Sequence, residues 1–129
     1  MARFRTLIVA ALLASALAGC GGSSSPRDKL SGFVVDYVDH NRNNCCELGM
    51  HATVSHVTFA ASDPRWAFVR IAVTDSAGRP DGYNFLLVRE TGSTWNVVGF
   101  GKGTLGCLAP VRVRAELAVG APNDVMSCP

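Results

Sequence analysis

Trp66-Ala67-Phe68-Val69-Arg70-Ile71-Ala72-Val73-Thr74, then Asp75-Ser76-Ala77-Gly78-Arg79-Pro80-Asp81-Gly82, then Tyr83-Asn84-Phe85-Leu86-Leu87-Val88-Arg89-Glu90, is the stretch that decides the fold. Two β-branched and aromatic runs flank a segment of turn-forming residues, the pattern of two strands and a loop. In the first run Ala67, Val69, Ile71 and Val73 fall on one face. Working outward, Thr91-Gly92-Ser93 makes a tight connection to a strand over Thr94–Phe100, with Trp95 and Val97 on one face. On the other side, Asp63-Pro64-Arg65 is a turn preceded by a less regular strand over Thr53–Ala60, where Val57 and Phe59 share a face. Connections this short between successive strands require an antiparallel meander, because parallel neighbours need a crossover of a dozen residues or more.

Two flanking segments carry helical signals. Ser25-Pro26-Arg27-Asp28 reads as a helix start, with Ser25 as the capping residue, Pro26 at the first position and Asp28 near the positive end of the dipole. Leu30, Phe33, Val34, Tyr37 and Val38 then recur at helical spacing as one apolar stripe, and Asn41-Arg42-Asn43-Asn44 ends it. Pro110–Val119 reads two ways. Its alternation suits a fifth strand, whereas Pro110 at the start, Val113 and Leu117 on one helical face, and Gly120 at the end suit a short helix, the preferred reading. The expected class is α+β: an N-terminal helix, a four-stranded antiparallel meander, and a short C-terminal helix or fifth strand. By element order this layout resembles cystatin-like and NTF2-like folds, a likeness of fold alone.

The N-terminus has a different character. Arg3 and Arg5 precede an apolar run from Leu7 to Leu17, too short to span a bilayer, and Leu17-Ala18-Gly19-Cys20 closes it. The tetrad resembles the lipobox of bacterial lipoproteins. The resemblance implies a signal peptide over residues 1–19 and lipidation of Cys20 with diacylglycerol and a further acyl chain such as palmitate. It implies localisation in the cell envelope, anchored on the extracytoplasmic side of a membrane. Residues 20–25 are then the lipidated cysteine and a flexible tether, and 26–129 a single domain, near the usual size for one core. Gly21 in place of Asp after the cysteine carries no inner-membrane retention signal. Trp66-Ala67, the hairpin from Leu87-Val88-Arg89 to Trp95-Asn96-Val97-Val98, Gly106-Cys107 and Pro110-x-x-Val113-x-x-x-Leu117 resemble small uncharacterised exported proteins of high-GC Gram-positive bacteria.

Loss of the signal removes Arg3 and Arg5, turning the formal +2 of the chain into ten basic against ten acidic residues. A neutral domain without a basic tract argues against nucleic acid as partner and against purely electrostatic membrane binding. With Cys20 acylated, Cys45, Cys46, Cys107 and Cys128 form an even set in an oxidising compartment. Cys107–Cys128 is the favoured disulfide because it pins a tail of low apolar content. Cys45 and Cys46 are left as a vicinal pair or free thiols, and the rival arrangement links each of them to the C-terminal half.

Asp39, His40, Cys45, Cys46, Glu47, Met50, His51 and His56 gather every histidine of the chain with sulfur and oxygen donors. Thiolate and imidazole ligands suit zinc or copper, so His40, Cys45, Cys46, His51 and His56 are candidate metal ligands, though their spacing matches no recognised pattern. No cofactor beyond the covalent lipid is expected. Gly99-Phe100-Gly101-Lys102-Gly103 lacks phosphate-loop spacing and reads as a turn or bulge leaving a strand. No G-x-S-x-G is present, and no catalytic residue is assigned. Arg65, Trp66 and Trp95 are candidates for a recognition surface. The expectation is a lipid-anchored, non-enzymatic envelope module that binds a protein or a small ligand. A metal-binding or thiol-redox protein, and a small hydrolase-like enzyme, are the alternatives.

Overall fold

The computed structural model describes residues 24–40, 51–122 and 124–129. Helix α1 runs over Pro26–His40 and is followed by strands β1 (His51–Phe59), β2 (Trp66–Thr74), β3 (Pro80–Thr91) and β4 (Thr94–Gly101). A 3-10 turn over Gly106–Leu108 leads into helix α2 (Val111–Ala118). The four strands form one antiparallel sheet in the order β1-β2-β3-β4, the α+β meander between two helices that the turn spacing requires. Pro110–Val119 resolves in favour of the helix. Pro110 precedes its first turn, and the Gly120 N–H bonds back to the Leu117 carbonyl at its end.

Local chemistry explains most of the boundaries. The Ser25 hydroxyl accepts from the Asp28 N–H (3.1 Å) and the Asp28 carboxylate accepts from the Ser25 N–H (3.3 Å), a reciprocal cap at the start of α1. Gly92-Ser93 closes the β3–β4 hairpin with positive φ at Gly92 alone (65°), the requirement of a two-residue turn with glycine first. The β2–β3 loop is shorter than composition implies. Asp75 Oδ1 accepts the N–H groups of Ala77 and Arg79, both at 2.9 Å, so Arg79 turns the chain and β3 already starts at Pro80. β1 likewise starts two residues before Thr53, and an irregularity between Val54 and His56 accounts for its broken alternation. A second irregularity opposite Leu87 and Val88 lies in β4, whose glycine-rich end, Gly99-Phe100-Gly101, is still strand.

Both faces of the sheet are covered, which the alternating pattern by itself did not reveal. On one face Leu30, Val34 and Val38 of α1 pack against Ala67, Val69, Ile71 and Val73 of β2 and Leu86 and Val88 of β3. On the other face Phe68, Phe85 and Leu87 pack against Leu105, Val113, Leu117, Val125 and Met126. The central strands therefore bury consecutive residues, Trp66–Val69 and Phe85–Val88, where a one-sided sheet would bury every second one. Each fully buried large apolar side chain contributes roughly 1.5–3 kcal/mol.

The C-terminal layer is held by three kinds of contact. A disulfide joins Cys107 and Cys128, whose Cα atoms are 4.8 Å apart. The Arg114 guanidinium donates to the carbonyls of Gly106 (2.9 Å) and Ala109 (3.2 Å). Glu116 accepts from the backbone and hydroxyl of Ser62, fastening α2 to the β1–β2 turn. Gly106 lies so close to the Met126 and Ser127 carbonyls that no β-carbon fits there.

Candidate functional site

On the α1 side of the sheet, the end nearest the start of that helix is not closed over. Phe59, the last residue of β1, and Trp95, near the start of β4, stand on opposite outer strands, yet their ring centroids are 6.1 Å apart. They can meet because the β2 residue beside Phe59 is Ala67, whose single methyl leaves room for two rings to reach over it. This aromatic pair is the floor of a groove of about 560 Å³. Pro26 and Pro64 supply further apolar wall, while Arg27, Lys29, Arg65 and Glu90 bring charge to its edge. Phe59 and Trp95 are half-buried, and the three cations are exposed.

The sequence brings these groups together from four separate places. The α1 cap fixes Arg27 and Lys29 within the first turn of the helix. The turn before β2 fixes Arg65, whose Nε and Nη2 donate to the two Asp63 oxygens at 2.8 and 2.9 Å. That hydrogen-bonded pair lowers the Asp63 pKa below its ordinary value and raises that of Arg65. The Glu90 N–H bonds to the Arg65 carbonyl (2.7 Å), tying β3 to the same turn. Arg27 and Lys29 differ from Arg65 in having no carboxylate partner among the described residues.

The three recognition candidates are thereby separated. Arg65 and Trp95 line the groove. Trp66 does not: it is only 6% exposed in the core on the opposite face, with the Arg89 guanidinium 5.3 Å from its ring centre. Alternation along β2 places Trp66 and Ala67 on different sides, so adjacency to Arg65 in sequence does not put the indole on the same surface. Phe59, Arg27 and Lys29 were not singled out from sequence. In sequence Phe59 only shares a strand face with Val57, and Arg27 only falls within the helix start at Ser25–Asp28.

The metal-ligand candidates are dispersed where they are described. Nδ1 of His40 donates to the Asp36 carbonyl (2.7 Å) at the end of α1. His51 is exposed at the start of β1, and His56 Nε2 is 3.0 Å from the Thr58 hydroxyl, facing the C-terminal layer. Cys45 and Cys46, like Cys20 and the lipobox, lie outside the described residues. Among the described residues no three His, Cys, Asp or Glu side chains are grouped to hold a metal ion, and no helix is long and apolar enough to cross a membrane.

Comparison with known proteins adds no name to this groove: no protein-family model, no curated protein and no solved structure matches this sequence.

Proposed function

We propose that this protein is a lipid-anchored binding module of the bacterial cell envelope, non-enzymatic, with the Phe59–Trp95 groove as its ligand site. The observation that carries the site is the pairing of two aromatic rings under a rim of charge, in a space of about 560 Å³. Ligand sites combine that kind of apolar floor with a few placed polar groups, and commonly occupy a few hundred to a thousand cubic ångströms. The lipobox-like Leu17-Ala18-Gly19-Cys20 supports the anchor and the compartment. A short tether, a small domain with a cross-linked tail and the lack of a catalytic motif in the sequence all fit a module that binds.

Two measurements test this reading. The protein purified from bacterial membranes is expected to carry diacylglycerol and an acyl chain at Cys20, read from the mass of its N-terminal peptide; an unmodified Cys20 removes the anchor. A photoreactive residue at position 95, activated on intact cells, is expected to give a discrete adduct. The same residue at Val111, which is 77% exposed on the opposite side, is expected to give none. Equal labelling at both positions removes the groove as the site.

A further inference from the structure

We infer that the groove takes an anionic phospholipid of the membrane in which the chain is anchored, its phosphate on Arg27 and Lys29 and its glycerol and upper methylenes on Trp95 and Phe59. This assignment rests on the lipid-anchor reading, and it names the ligand class for the same groove. Three observations carry it.

The first is the distribution of free charge. Arg65 on one wall is engaged by Asp63 through two hydrogen bonds. Arg27 and Lys29 on the α1 wall have no such partner among the described residues. Two unpaired cations beside an apolar floor are complementary to an anion with a hydrocarbon body rather than to a neutral ligand. The lining also holds one carboxylate, Glu90, which acts on Arg65 at the far wall, and Asp28 is engaged in the α1 cap with Ser25. The unpaired positive charge of this formally neutral domain therefore stands on the α1 wall, where the fold sets it beside the aromatic floor.

The second is size. A space of about 560 Å³ suits a headgroup with its glycerol and is too small for a complete two-chain lipid, whose tails would stay in the bilayer. The third is position. Pro26 is part of the groove lining, and only Gly21–Ser25 separate it from Cys20. Five residues reach at most about 18 Å when fully extended. An acyl chain at Cys20 would hold the groove within that distance of the headgroup layer, where the lipid is the anion at highest effective concentration.

The experiment uses the mature protein purified from membranes in neutral detergent micelles. Phosphatidylglycerol brominated near the top of its chains is titrated in, with phosphatidylcholine brominated at the same place as the comparison. Bromine quenches an indole only on close approach. Trp66 lies buried under the other face, and Trp95→Phe should abolish the signal. Quenching by the anionic lipid is expected to saturate at a lipid fraction roughly tenfold below that of the zwitterionic one, as attraction between two cations and an anionic lipid implies. The double variant R27E/K29E, at exposed helix positions, is expected to bring the two curves together while keeping its thermal transition. Equal quenching by both lipids, or an unchanged preference in R27E/K29E, overturns the proposal. So does equal competition by soluble glycerol phosphate, which would make the ligand a free anion. An adduct at position 95 on cells together with no lipid preference in micelles would leave the groove standing as the site and reject only the lipid.

Discussion

A methyl group at Gly120 would run into the Thr58 hydroxyl and lie 2.9 Å from His56 Nε2. The end of α2 therefore approaches β1 as closely as it does only because residue 120 has no side chain. Gly120→Ala is expected to lower stability by about 1–3 kcal/mol, the usual cost of forcing an atom into filled space. Thr58→Ala should restore part of that loss, because it removes the atom the new methyl meets. Denaturant unfolding of the two single variants and the double variant would show the coupling, and strict additivity would contradict the contact. A second residue-scale consequence concerns acid. Arg65 holds the Asp63 pKa below its ordinary 3.8, and the Arg79 N–H, with its side chain, does the same for Asp75. A lowered folded-state pKa gives stability that is full above the unfolded value and is lost as pH falls through the folded one. The melting temperature is thus expected to fall more steeply below about pH 4 in the parent than in Asp63→Asn, in a comparison of melting curves across pH. Parallel acid limbs would mean the pair contributes nothing, and the solvent around the exposed Arg65 keeps any effect small.

At the scale of elements, each piece was legible to the extent that its signal was local. The α1 stripe of Leu30, Val34 and Val38 is what the helix buries, and Ser25 caps it through Asp28. Trp95 and Val97 share the α1 face with Val57 and Phe59, as strand periodicity requires. The boundaries that moved, at His51, Pro80 and Gly101, moved because pairing with a neighbour extends a strand past residues that favour loops. The 3-10 turn at Gly106–Leu108 carries no such local signature. It exists because the disulfide and the carbonyls of the last residues hold Gly106 in place. The tail is accordingly the element most dependent on one bond. Replacing Cys107 and Cys128 by alanine releases a loop of about twenty residues and is expected to cost roughly 3 kcal/mol in the chain-entropy description. Urea unfolding would read the loss, and backbone exchange at Val125 and Met126 should rise with it. A loss under about 1 kcal/mol would show that the burial of those two side chains suffices.

For the whole molecule, the decisive fact is that one sheet serves two cores. β2 and β3 contribute to both, so neither layer can come off without exposing the faces of strands that the other still needs. Leu30→Ala in one core and Leu117→Ala in the other are each expected to cost about 2–5 kcal/mol. Helix content and tryptophan emission should then report one coincident transition in each variant. Two separated transitions, with α1 melting first, would show independent layers.

The sequence by itself determined the meander, the two helices and where the chain turns, because strand alternation, helical spacing, caps and turn residues act over a few neighbours. It also carries the lipobox-like tetrad, on which the anchor reading stands. Only the tertiary structure decided that both faces of the sheet are covered, that Trp66 parts company from Arg65, and that Phe59 and Trp95 meet over Ala67 beneath Arg27 and Lys29. Those contacts join residues up to seventy positions apart in sequence. No local pattern encodes such an encounter, since it follows from strand order, from one small residue in a central strand, and from the place where a helix begins.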